Sequence, residues 1–202
     1  MQSELTFSGN MKAKVLRAPR APLAWRLRNR LRWDYISGFL AVRAGRAFSK
    51  LTGIPTLTSK LSAILIRADG RRVNYGVLGY KLVTTAFVNF MVDQLQADTT
   101  EWGDFKFHDS GIGVTGAVVG DTDIETTDGE SRATGSQTEG AANIYESVGT
   151  ISYTTTKAIT EHGLFSTVAS TTLMDRHTFS ALNVVNGDSI QFTYDLTVSA
   201  GG

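Results

Sequence analysis

Ser189-Ile190-Gln191-Phe192-Thr193-Tyr194-Asp195-Leu196-Thr197-Val198 decides the fold class. Its large apolar residues, Ile190, Phe192, Tyr194, Leu196 and Val198, fall at every second position, and a strand puts all of them on one face. Asn186-Gly187-Asp188 supplies the turn before it. Working back along the chain, 143–155, 157–165 and 171–180 read as further strands, with 104–108 and 122–127 as shorter ones. Short strands at this spacing predict a mainly β protein whose body, 56–202, is an antiparallel β-sandwich of jelly-roll or immunoglobulin-like kind. Within it, 109–142 is rich in glycine and poor in large apolar residues, and reads as one or two long exposed loops.

Upstream of this, Leu61-Ser-Ala-Ile-Leu-Ile-Arg67 is a candidate buried strand. Asp69-Gly70 offers a hairpin turn, and Arg72–Leu78 returns. A helix follows at about 84–95, which Thr84 or Thr85 can cap, with Phe87, Phe90, Met91 and Leu95 marking its buried stripe.

Residues 1–55 form a basic arm that holds all three prolines, Pro19, Pro22 and Pro55. Its densest part, Leu23-Ala-Trp25-Arg26-Leu27-Arg28-Asn29-Arg30-Leu31-Arg32-Trp33, fits two periods. As a strand it sets Leu and Trp against Arg. As a helix it has Pro22 in the first turn and stacks Leu23, Leu27 and Leu31 at spacing four. Leu and Arg both favour the helix, which could continue through Phe39-Leu40-Ala41-Val42. In either form its apolar face must lie on the body, on another subunit or on a larger surface. The stretch Leu5–Trp33 is arginine-rich and acid-free, as organellar transit peptides are, but the bias runs well past their usual length.

Charge is split along the chain. Residues 1–82 carry 16 Lys and Arg against three acids, and residues 83–202 carry four against 16, so an overall +1 hides a +13 segment and a −12 segment. Such a division suits assembly on a copy of the same chain, on an acidic protein or on nucleic acid. The absence of cysteine rules out disulfides, thiolate metal sites and cysteine nucleophiles. No run approaches 18 apolar residues, so no membrane-spanning helix is expected.

The partner-binding candidates are Trp25, Arg26, Arg28, Arg30, Arg32 and Trp33. Phosphate, a bilayer interface, an acidic protein and plain solvent could each face this stripe, and the interleaved tryptophans favour a protein surface. Asp121, Asp123, Glu125, Asp128 and Glu130 form the densest acid cluster. Its spacing misses the calcium-loop pattern at Thr126, which leaves a solvated loop or a contact with the basic arm of a neighbouring copy. His108, His162 and His177 share no metal-ligand spacing, and a Ser-His-acid site drawn from Glu161 and His162 lacks a nucleophile elbow. Histidines in such turns are expected to bond to backbone. Gly111-Ile-Gly113-Val-Thr-Gly116 lacks the Lys-Ser/Thr ending of a phosphate loop and reads as a mobile loop. No catalytic residue, metal or cofactor is therefore expected.

Ala158-Ile-Thr-Glu161-His162-Gly163-Leu164-Phe165-Ser166, Leu173-Met-Asp-Arg176, Phe179-Ser-Ala-Leu182-Asn183, Gly187-Asp-Ser-Ile190 and the ending Leu196–Gly202 resemble a family of tailed-bacteriophage virion structural proteins. The likeness extends back through Phe105-Lys-Phe-His108 and Val83-Thr-Thr-Ala86, so it covers about 60–202. The resemblance implies a virion component rather than an enzyme. A capsid decoration or cement protein on the outside of the head fits the basic arm, which would run over major capsid protein subunits. A homo-oligomer, such as a trimer at a symmetry point, fits a repeated lattice. The alternatives are a neck, tail or fibre-base adaptor, or a DNA-binding protein that uses the arm. No membrane partner is expected. Within the motifs, Glu161-His162-Gly163 is expected to close a strand end, and Asp175 and Arg176 to pair across strands.

Overall fold

The computed structural model describes residues 2–7, 11–16, 18–81, 83–96, 105–169 and 172–199, and side chains outside 2–7, 11–16 and 94–96. In chain order the elements are β1 (Gln2–Phe7), β2 (Met11–Leu16), α1 (Leu23–Arg30), α2 (Trp33–Thr52), β3 (Thr56–Ile66), β4 (Arg72–Lys81) and α3 (Thr85–Gln96). They continue with β5 (Phe107–Gly111), β6 (Ala133–Thr134), β7 (Ser136–Ala141), β8 (Ile144–Ser152), β9 (Lys157–Phe165), β10 (Leu173–Val184) and β11 (Ser189–Ser199). The chain is mainly β, with two large antiparallel sheets ordered β10-β9-β5-β6 and β4-β3-β11-β8-β7; β1 and β2 pair with each other.

β11 sits at the centre of the five-stranded sheet, between β3 and β8. Its alternation places Ile190, Phe192 and Tyr194 in the core with no exposure. They share one apolar cluster with Leu61 and Leu65 of β3, Ile159 and Leu164 of β9, and Phe179 and Leu182 of β10, so both sheets contribute to a single core. Strand edges shift by a few residues from the sequence reading. Residue 104 of the expected strand 104–108 and residue 171 of 171–180 lie outside the described residues. Residues 122–127 are not a strand; only Thr127 makes an isolated bridge, to Gly111. Residues 136–141, expected as loop, form edge strand β7.

The helix expected at 84–95 is α3, and Thr84 caps it. Its Oγ1 accepts from the Phe87 N–H at 3.2 Å and donates to the Leu173 carbonyl. Phe87 and Phe90 both meet Phe105 edge-on at about 5 Å between ring centres. Leu95's side chain lies outside the described ones.

The basic segment is helical, but it breaks at Leu31-Arg32 and resumes as α2. Arg32 takes an extended backbone there, and Asp34, in the first turn of α2, accepts from Arg32 Nη2 at 3.1 Å and from Thr178 Oγ1 at 3.1 Å. A carboxylate in that turn also complements the helix dipole. Gly53, at φ 74°, ends α2 in a left-handed cap. Both helices lie against the sheets: α2 packs on β4, and Gly38 comes so close to the Tyr80 carbonyl that a β-carbon would sit 2.0 Å from its oxygen.

α1 covers a seam between sheets. β4 and β10 are edge strands of different sheets, and the pairing of β10 with β9 shifts register between Thr178 and Leu182. Side chains of α1 and its C-terminal flank serve the backbone there. Trp25 Nε1 donates to the Ala181 carbonyl at 2.8 Å, Arg32 Nη1 to the Phe179 carbonyl at 3.3 Å, and Asn29 Oδ1 accepts from the Ser180 N–H at 2.8 Å. Asn29 Nδ2 donates to Leu78 of β4, also at 2.8 Å, so one buried amide ties the two edges together. Asn29→Ala would leave a buried N–H and a buried carbonyl unpaired, at a cost of about 2–3 kcal/mol. A lower urea midpoint at unchanged slope is the expected result.

Candidate interaction surface and buried polar seam

Which side of α1 faces the body is set by those hydrogen bonds, and the leucines point the other way. Leu23, Leu27 and Leu31 are 61%, 51% and 74% exposed, and Trp33 is 77% exposed. Of the six residues singled out in the sequence, Trp25 is half-buried, with its ring edge-on to Tyr75 at 4.6 Å, and Arg32 is held on β10 and Asp34. Arg26 is half-buried, whereas Arg28, Arg30 and Trp33 face outward. The outward surface continues on α2 with Leu40, Phe48 and Leu51, and with Arg43, Arg46 and Lys50.

The acidic loop is turned inward. Arg176, 3% exposed, leaves β10 on the outer side of its sheet and gathers three carboxylates: Glu161 at 2.7 Å, Asp121 at 3.1 Å and Glu125 at 3.1 Å. Glu161, fully buried on β9, also accepts from the backbone N–H groups of Gly113, Glu125 and Thr126 at 2.8–2.9 Å. Gly113 is obligatory at this approach, because a β-carbon there would lie 2.4 Å from Glu161 Oε1. Arg132 holds Asp109 at 2.8 Å and Asp123 at 3.4 Å, Lys157 holds Glu130 at 2.6 Å, and Asp128 accepts from Ser110 Oγ at 2.5 Å. Of the carboxylates expected to face solvent or a neighbouring copy, Asp121, Asp128 and Glu130 are thus bound within the chain, Asp123 and Glu125 are bound yet keep an exposed side, and Gly111–Gly116 is clamped rather than loose. Arg176 pairs across strands as expected, with Glu161 of β9, whereas Asp175 finds no cation there among the described residues and bonds to Ser59 and Tyr194. Glu161 does bind backbone N–H groups, but from inside β9 rather than at a strand end.

The histidines lie in strands and in the core. His108 Nδ1 is 3.0 Å from His162 Nε2, and His108 Nε2 is 2.9 Å from Ser147 Oγ. His162 stacks at a tilt on Phe192, and His177 meets Tyr194 edge-on. Backbone bonding was the expectation; the histidines instead bond side chain to side chain or, for both ring nitrogens of His177, find no hydrogen-bond partner. Burial pushes His108 down to about 3, and drives His162 and His177 well below the ordinary histidine value. Asp175, buried beside them, is bonded to Ser59 and to Tyr194, the latter at 3.3 Å, and burial pushes it up to about 7. Glu161, His162 and Ser147 are each buried, Glu161 on the outer side of its sheet and the other two between the sheets. The periodicity of β9 and β10 places these residues, but nothing in their spacing announces the chain of contacts.

No family model, no curated protein and no solved structure matches the chain. Among the described residues, no helix is long and apolar enough to cross a membrane.

Proposed function

We propose that this chain is a non-enzymatic structural component of a tailed-bacteriophage virion, a capsid decoration or cement protein that docks on neighbouring capsid subunits through the outward face of α1 and α2. In this reading the two-sheet body is a β-sandwich of jelly-roll or immunoglobulin-like kind, and copies assemble as a symmetric oligomer such as a trimer. The sequence motifs supply the virion class, and one structural observation carries the docking face. Leu23, Leu27, Leu31, Trp33, Leu40 and Phe48 stand exposed beside Arg28, Arg30, Arg43 and Arg46. A contiguous apolar surface rimmed by charge is the usual form of a protein interface. Fully burying one leucine contributes about 1.5–3 kcal/mol, so three or four would hold a protein on a lattice.

The test is re-addition of purified protein to particles that lack it. Wild-type protein is expected to bind at saturating, symmetric copy number, and Leu27→Glu with Leu31→Glu to bind at least tenfold more weakly while keeping the wild-type urea midpoint. A ring of copies confined to the portal vertex or tail would replace cement with the adaptor role. Absence of the chain from purified virions would sink both.

A further inference from the structure

A second feature of the basic segment faces inward. Between α1, the first turn of α2 and β4 lies a cleft of about 370 Å³, lined by Arg20, Arg26, Arg30, Tyr35, Tyr75 and Tyr80, with Trp25 at its wall. No acid lines it. Among the described residues no carboxylate lies within ion-pair distance of Arg20, Arg26 or Arg30, although Arg32, Arg67, Arg71, Arg132 and Arg176 each have one. Arg26 Nε is buried without an acceptor. Three guanidinium groups lining one cleft without a counter-charge repel one another and, although Arg30 bonds to Tyr35, leave donors such as Arg26 Nε unused, which an incoming anion reverses.

We propose that this cleft binds a nucleotide, its phosphate held by Arg20, Arg26 and Arg30 and its base set among the tyrosines. Charge and shape argue for this ligand class. A single carboxylate offers one charge and two oxygens, enough for one forked arginine, whereas a phosphate monoester brings close to two charges and three acceptor oxygens. Besides Asn29, Asn74, Gly76 and Val77, the rest of the lining is aromatic, and bases stack on aromatic side chains whatever their sequence. Burial raises the Tyr35 and Tyr75 hydroxyls above the ordinary tyrosine value, so both stay protonated and can donate. The volume lies at the lower end of small-ligand sites, which suits one nucleotide and excludes a folded segment. The source can be a free nucleotide or the 5′-phosphorylated end of a single strand, each of which carries a phosphate monoester. The proposal shares Arg30 with the docking face but none of its leucines, which do not line the cleft.

Calorimetric titration of the full chain tests it, with AMP, a 5′-phosphorylated eight-residue oligo(dT), inorganic phosphate and octaglutamate as probes. AMP or oligo(dT) is expected to bind saturably and more tightly than phosphate. Arg30→Gln should weaken that binding about tenfold or more, while Arg28→Gln, on the exposed side of α1, should leave it within about twofold. Binding by AMP and oligo(dT) alike indicates a free-nucleotide site, and binding by oligo(dT) alone a strand site. Four results would overturn the proposal: no binding by either, phosphate binding as tightly as AMP, octaglutamate binding in their place, or equal losses at Arg28 and Arg30. Both arginines are exposed, so neither variant endangers folding, and an unchanged urea midpoint confirms this for each.

Discussion

Arg176→Met is expected to lower the unfolding free energy by about 3–5 kcal/mol, the largest effect of any single substitution considered for this chain. The size follows from what is left behind. Glu161 is fully buried and, among the described residues, its only cation is Arg176, 2.7 Å away, so the variant strands a carboxylate in the interior. Asp121 and Glu125 lose the same partner, and the Thr115 carbonyl loses the Arg176 Nη2 donor at 3.2 Å. Adding Glu161→Gln to Arg176→Met should recover part of the loss, because no bare charge remains at the fully buried position, although one amide oxygen cannot serve all three N–H groups. Urea denaturation of the two variants measures this. A midpoint shift below about 1 kcal/mol for the single variant would show that the loop holds without its arginine.

Acid is the second large lever, and its sign is fixed by the buried histidines. A histidine whose folded pKa lies below its unfolded value of about 6.5 binds its proton in the unfolded chain first. Stability is therefore complete above about pH 6.5 and is lost as pH falls towards the folded value, about 3 for His108. By pH 5 that residue alone costs about 2 kcal/mol, and His162 and His177 act in the same direction. Asp175 opposes them. Its unfolded carboxyl ionises near 3.9 and the folded one only at about 7, so its contribution declines as pH rises between those values. Three groups outweigh one, and the melting temperature should drop steeply from pH 7 to pH 5. Asp175→Asn should raise stability at pH 8 and leave it unchanged at pH 4. Equal melting temperatures at pH 7 and pH 5 would refute the account.

How much of this was legible in the sequence varies by element. β9 and β11 follow from alternation, because each has a face that packs on the opposite sheet. The β3–β4 hairpin follows from its Asp-Gly turn, and α3 from its capping threonine. β7 escaped notice because Ser136–Ala141 is a polar edge with no buried side to impose a period. The stretch 122–127 has strand-like alternation of acids, yet the acids alternate because Arg176, Arg132 and backbone N–H groups collect them, which no local pattern records. The orientation of α1 was hidden for a related reason. Its leucines repeat correctly for a buried stripe, but Asn29 and Trp25 find backbone partners on β10 that lie some 150 residues away, and those bonds turn the leucines outward.

That distance also orders events at the ribosome. Asn29 leaves the exit tunnel about 150 residues before Ser180, and Arg32 waits equally long for Phe179. At 5–20 residues per second the basic segment spends about 8–30 s without β10, although β4, its other support, follows Asn29 within 49 residues. During that interval Leu23, Leu27 and Leu31 are separated by Arg26, Arg28 and Arg30, and charges placed so act as gatekeepers against premature association. α1 is thus made early but tied to β10 late, and its arginines keep it soluble until that strand arrives.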